Sequence, residues 1–223
     1  MFKGFSEQSV DFVWNLRFNN SKEWFLAHKQ EYEDFLHTPI KSLAYDLQAF
    51  FTETYPQHTW QVHISRIYRD ARRLFGRGPM NDHLWFSIFA DADKEESITP
   101  AFYFGFEPEG FDYGMGCWTE HGAFMERLRA DVKNNPQTLD KLRKAFEKQS
   151  VFSLSGEEYK RPKVQVQTEL MPWVNRKYLG FHCDNLHGED GFGPGLFDTL
   201  KKNYALLMPL YDYFCTLAHR AES

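Results

Sequence analysis

The chain has 223 residues, 42% of them hydrophobic and 17% aromatic, and a formal net charge of −5 at pH 7. That apolar content supports a sizeable core, and the number of rings excludes a disordered segment. Nowhere do about 18 apolar residues follow one another as a spanning helix requires, and Met1-Phe2-Lys3-Gly4-Phe5-Ser6-Glu7 has no apolar run ahead of a small-residue cleavage site. The expectation is one domain over residues 1–223, with no membrane partner, in the cytoplasm. Cys117, Cys183 and Cys215 are odd in number and widely spaced, so they are expected as reduced thiols without a disulfide.

Residues 7 to 18 place Val10, Val13, Trp14 and Phe18 on one helical stripe. Asn20 followed by Glu23 has the form of a capping box, and the helix it opens is predicted to run to about residue 36 with Trp24, Phe25, His28, Tyr32 and Phe35 along its buried side. Thr38-Pro39 predicts the start of a third helix, carrying Leu43, Leu47, Phe50 and Phe51 to about residue 53. After Pro56 the period changes to two, which marks sheet. Strands are predicted over residues 63 to 68, 84 to 89, 102 to 106 and 111 to 118, with an acidic turn at 91 to 96. Helices follow over 120 to 133 and 136 to 148. Residues 151 to 171 show little period, 178 to 183 predict one more strand, and a glycine-rich loop at 188 to 195 leads into a long helix to 219 containing Pro209. Helices, then antiparallel strands, then helices, describe an α+β domain with a sheet of four to six strands from residues 61–118 and 178–183.

The stretch with the most chemistry is residues 66 to 77. It holds five arginines, Arg66, Arg69, Arg72, Arg73 and Arg77, and one acid, Asp70, a local charge of +4 that leaves −9 for the remainder. Such a local island does not supply the broad field of a nucleic-acid binder, and no nucleic-acid partner is expected. Arginine forks match carboxylate or phosphate oxygens in pairs, and Gly76 and Gly78 let backbone amides turn inward, so the stretch reads as an anion site. It lacks Walker A spacing.

Asn19-Asn20 with Glu23-Trp24-Phe25, His28-Lys29 and Tyr32, followed by Ser65-Arg66-Ile67-Tyr68-Arg69-Asp70, Arg72 and Pro79, resembles the family catalogued as domain of unknown function 2461. Lys160-Arg161-Pro162 and Arg176-Lys177-Tyr178 sit in the order that family shows, and the resemblance runs from about residue 5 to 215. It implies an α+β fold and no established activity. The family pattern continues the arginine motif as Arg-Phe-Ser-Lys-Asp-Lys-Thr-Pro-Tyr, of which Arg72, a basic residue at Arg77 and Pro79 carry over to this chain.

Other chemistry is weaker. His182, Asp184 and His187 match no metal spacing, and a strand followed by a loop would point them apart, so no metal is expected. There is no G-x-S-x-G elbow, and Cys117 near Glu120 and His121 reads as a strand thiol rather than a nucleophile. Two readings remain open. In one, Arg66, Arg69, Asp70, Arg72 and Arg77 bind, or help transform, a small anionic ligand such as a phosphate ester or carboxylate. In the other, the chain is a non-enzymatic interaction or scaffold domain whose arginines form structural salt bridges. Within the strand, alternation sends Arg66 to one face with Val62 and Ile64 and Arg69 to the other, so Arg66 and Arg72 are expected to reach the pocket and Arg69 to be the structural member, paired with a helix carboxylate such as Glu23 or Glu31. Cofactor, oligomeric state and reaction, if any, are left open by these residues.

Overall fold

The computed structural model describes residues 1–70, 72, 74, 76–90, 99–117, 122–187 and 191–218. Helix α1 is Glu7–Phe18, and α2 is Lys22–Ala27. The cap of α2 is Ser21, whose hydroxyl accepts the Trp24 amide at 3.1 Å, one residue later than the Asn20–Glu23 box the sequence suggests. His28, at φ −110° and ψ 21°, interrupts the expected long helix. A single turn, α3 (Lys29–Glu31), and a π-helical turn over Tyr32–His37 then run straight into α4 (Thr38–Thr54). Thr38 has helical angles and is no N-cap. Pro39 offers no N–H to the helical ladder, and the widened π turn lies immediately ahead of that missing rung.

The strands are β1 (Trp60–Ile64), β2 (Leu84–Ala90), β3 (Ala101–Phe106), β4 (Gly110–Cys117), β5 (Ser153–Ser155) and β6 (Leu179–Leu186). They form one antiparallel six-stranded sheet in the order β1-β2-β3-β4-β6-β5, so the chain is α+β as its periodicities predict. Between them lie α5 (Ala123–Asn134), α6 (Pro136–Phe146) and α7 (Met171–Val174), and α8 (Gly195–Ala218) closes the chain. Edge strand β5, three residues long, pairs Leu154 with Phe181; it is too short to show a period. The first strand ends at Ile64 rather than residue 68. The expected acidic turn at 91 to 96, Trp118, Glu120, His121 and the start of the glycine-rich loop lie outside the described residues.

The chain groups into two compact units, one from Met1–Ile88, Tyr103–Tyr113 and Asp184–Lys201, the other from Phe89–Phe102, Gly114–Cys183 and Lys202–Ser223. In the first, the α4 stripe predicted from sequence is buried at Leu43, Leu47 and Phe51, with Phe51 against Trp60 at 4.7 Å. Phe5 lies on Phe106 at 4.4 Å, and Phe104 stacks on Phe86. In the second, Phe181 gathers Phe146, Trp173 and Phe214 around it. Phe102 packs on Tyr204 and Tyr211, and the Tyr211 hydroxyl accepts the Ala90 amide at 2.8 Å.

One charged group on the sheet sits in a costly place. A Cβ on Gly105 would lie 2.3 Å from Asp112 Oδ1, so the glycine of β3 makes the room that this β4 carboxylate occupies. Burial raises the Asp112 pKa and the charge of Glu107 adds to that, while a hydrogen bond from Tyr103 opposes both. With the folded pKa above the unfolded value of about 3.9, ionisation of Asp112 disfavours the folded state. That cost is absent below the unfolded pKa and complete above the folded one. Asp112→Asn keeps the shape and the Tyr103 acceptor, so thermal melts are expected to show a higher Tm than wild type at pH 7, with the gain shrinking as the pH falls toward about 4.

Candidate functional site

The arginine stretch is the closed end of a hairpin. The Asn81 amide donates to the Ile67 carbonyl at 2.7 Å and the Arg69 amide to Pro79 at 2.8 Å, bracketing an antiparallel bridge between Tyr68 and Met80. Between the two arms the Arg77 amide donates to the Leu74 carbonyl at 2.8 Å and Gly76 takes a positive φ of 78°. The predicted strand breaks at Ser65, which still donates its amide to the Trp85 carbonyl at 2.8 Å but meets the Trp85 amide with its hydroxyl, at 2.9 Å, instead of its carbonyl.

The break resets which side faces inward. Val62 and Ile64 are half-buried on β1 while Gln61 and His63 are exposed, but beyond the break Ile67 is buried and Arg66 and Tyr68 are exposed. Arg66 therefore does not share the inward side of Val62 and Ile64, as unbroken alternation implies. Arg69 follows Ile67 inward, its side chain only 11% exposed.

Two side chains hold this hairpin, the first of them 60 residues away in sequence. Asn20 donates from Nδ2 to the Met80 carbonyl and accepts the Met80 amide at Oδ1, both at 2.9 Å, so its amide imitates a neighbouring strand. Gly78 lies flat on it: a Cβ there would meet Asn20 Cγ at 2.3 Å. That engagement explains why the helix cap passes to Ser21.

The second anchor is Asp82. Arg69 donates from Nε to Asn81 Oδ1 at 3.0 Å and from Nη2 to Asp82 Oδ1 at 3.3 Å, and Asn81 Nδ2 closes the corner on the Arg66 carbonyl. The other Asp82 oxygen accepts Arg17 Nε from α1, while Arg17 Nη1 and Nη2 reach Glu109. The partner of Arg69 is thus Asp82 and not Glu23 or Glu31. Burial works against ionisation of Asp82, but the Arg17 hydrogen bond, with backbone and His83 contacts, holds its carboxyl below the ordinary range. The Glu109 hydrogen bond raises the Arg17 pKa, burial opposing and Asp82 adding to the rise.

The remaining arginines are differently placed. Arg72 folds back on Asp70, with Nε to Oδ1 at 3.1 Å and Nη2 to Oδ2 at 2.8 Å, yet its side chain is 88% exposed. Arg66 and Arg77 are exposed, and neither guanidinium has an ion pair among the described residues. Asn20 also lines an open cleft of about 480 Å³ with Asn19, Ser21, Glu23, Trp24, Ala27 and His28. One wall is the Trp24 indole stacked on the His28 ring at 4.1 Å, with His28 Nδ1 against the Trp24 carbonyl at 2.8 Å. Periodicity alone assigns these two rings to a buried stripe; the helix break at His28 leaves both half-exposed beside the hairpin's anchor.

Among the described residues no group of three or more His, Cys, Asp or Glu is arranged to hold a metal ion. His187 sets its Nε2 on the Glu107 carbonyl at 2.6 Å, and burial lowers its pKa. Cys117, Cys183 and Cys215 are free thiols, and burial pushes the Cys117 thiol up, away from the thiolate a nucleophile needs. No helix of the described residues is long and apolar enough to cross a membrane.

An α+β chain with an arginine hairpin pinned by an asparagine and an aspartate is what the geometry defines. Residues 8–213 match the model of the conserved hypothetical protein family DUF2461, and the chain belongs to that family. No curated protein matches the sequence.

The shared carboxylate sets an order of mutational cost. Arg69→Ala leaves Asp82 paired with Arg17 and is expected to cost about 1–3 kcal/mol. Asp82→Ala leaves the nearly buried Arg69 guanidinium without a counter-charge and is expected to cost about 3–5 kcal/mol. Urea unfolding midpoints check the order, and Arg69→Ala proving the costlier change would mean that Asp82 is not the common anchor.

Proposed function

We propose that the protein binds a small anionic ligand, a phosphate ester or carboxylate, at the arginine hairpin, with Arg66 and Arg77 as the contacting cations, Arg72 and Asp70 at the rim, and Arg69 positioning the hairpin from within. The observation that carries this reading is the division of labour among the arginines. Arg69 is nearly buried and engaged by Asn81 and Asp82, whereas Arg66 and Arg77 stand in solvent on a backbone held at Asn20, Asn81 and Ser65. A guanidinium held on a fixed backbone loses less freedom when it meets an oxyanion than one on a mobile loop. The ligand belongs among the small metabolites of the cytoplasm, and nucleic acid is not its partner.

The scaffold reading has its own support in the Arg17–Asp82–Arg69 network, where arginines of the chain are structural. The two readings divide on Arg66 and Arg77. Thermal shift at constant ionic strength with inorganic phosphate and citrate as probes is expected to raise the Tm of wild type, because a ligand that prefers the folded state must stabilise it, by about 2.7 kcal/mol at a hundredfold excess over Kd. Arg66→Ala/Arg77→Ala should melt like wild type without the probes and lose the shift with them. An undiminished shift in the double variant places the anion elsewhere, and no shift in wild type favours the scaffold reading.

A further inference from the structure

The negative charge outside the arginine stretch is unevenly spread. Residues 127 to 177 contain twelve Lys and Arg against six Asp and Glu, a local charge of +6 in a chain of −5. Within this region Gln137, Lys141 and Lys144 follow one another at turn spacing on the exposed side of α6, and Lys148 extends the row from the turn just beyond its end at Phe146. The row is one wall of a groove of about 440 Å³ that Asp140, Ala145 and Gln167 complete, with Gln167 ahead of the short turn at Thr168–Leu170 that packs on α6.

A lysine row on a helix is ordinarily a solvated face neutralised by its own acids. Here the acids of α6 are already taken. Arg143, only 9% exposed, donates to Asp140 Oδ1 from Nε at 3.1 Å and Nη2 at 2.8 Å, and to both Glu147 oxygens from Nη1 at 2.7 Å. Lys144 shares Asp140 at 2.6 Å, but Lys141 and Lys148 have no ion pair among the described residues. Arg143 and Lys144 together balance Asp140 and Glu147, which leaves Lys141 and Lys148 facing the groove without an ion pair among the described residues.

We propose that this groove is a second ligand site, independent of the arginine hairpin, and that it takes a compact anion carrying two or more phosphate groups and no required aromatic ring. Lys141 and Lys144 lie one turn apart on α6, and Lys148 follows in the turn beyond Phe146 along the same groove. A single phosphate meets these point charges one or two at a time, whereas a chain or ring of phosphates meets all three. No aromatic side chain lines the groove among the described residues, so it has no platform on which a base would stack. Its acceptors and donors are the amides of Gln137 and Gln167, suited to phosphate and hydroxyl oxygens.

The test is calorimetric titration of the full chain with inorganic tripolyphosphate and with orthophosphate, at a fixed ionic strength of about 150 mM. Tripolyphosphate is expected to bind more tightly than orthophosphate, Lys141→Gln/Lys148→Gln to weaken it by roughly tenfold or more, and Arg66→Ala/Arg77→Ala to leave that component in place. Both lysines are exposed, so the lysine variant should melt at the wild-type temperature. The proposal is overturned if tripolyphosphate gives no heat, if its binding is lost in the arginine variant and kept in the lysine variant, or if orthophosphate binds as tightly. A single-stranded oligonucleotide that binds through the same lysines more tightly than tripolyphosphate would also overturn it, making the groove part of a nucleic-acid surface. Because each site is removed by its own pair of substitutions, failure of one leaves the other standing.

Discussion

Asp82 carries one negative charge between two guanidinium groups, and the shape of the arginine hairpin follows from that sharing. Arg17 arrives from α1, Arg69 from the hairpin arm, and each takes one carboxylate oxygen. Arg17 can be shared in this way because Glu109 supplies its second counter-charge. The result is a network in which Arg69 is held within the fold by groups that precede or follow the strands, while its neighbours along the chain remain outside. A carboxylate at residue 82 thus determines which arginine of the motif is unavailable to a ligand.

The Asn20 amide performs the other half of that work without charge. By pairing with both polar groups of Met80, it takes the place of a strand on the open side of the hairpin, where two backbone groups would otherwise face water or remain unsatisfied. Gly78 permits the approach. The same asparagine lines the Trp24–His28 cleft, so the hairpin and the broken helix meet at one side chain. The π turn over Tyr32–His37 belongs to this arrangement, since it carries the chain from the break at His28 into α4 without a loop.

The α6 groove shows the same economy of charge in a different unit of the chain. Arg69 is internal because an acid beside the returning arm of its hairpin meets it; Arg143 is internal because Asp140 of its own helix and Glu147 at that helix's C-cap, one turn away on either side, enclose it. In each place the arginine that interacts most with protein is the one least available to a ligand, and the cations next to it in sequence are the exposed ones.

Periodicity in the sequence determined the α+β order, the buried stripe of α4 and the positions of β2, β3 and β4 to within a residue or two, because side-chain alternation is a local property. It also determined that the motif is dense in arginine and that Arg69 faces inward, since Ile67 and Arg69 share a parity. It did not determine the break at Ser65, where a side-chain hydroxyl displaces a backbone acceptor, nor the short edge strand β5, which lacks the length to show a period. Only the tertiary structure decided the partners. Asn20 reads as a helix cap from its neighbours, and nothing beside Asp82 in the sequence marks it as the partner of Arg69. Residues 17, 69, 82 and 109 meet, and Asn20 reaches Met80, because the fold brings them together in space, and the choice among carboxylates for one guanidinium is a matter of distance that sequence separation does not encode.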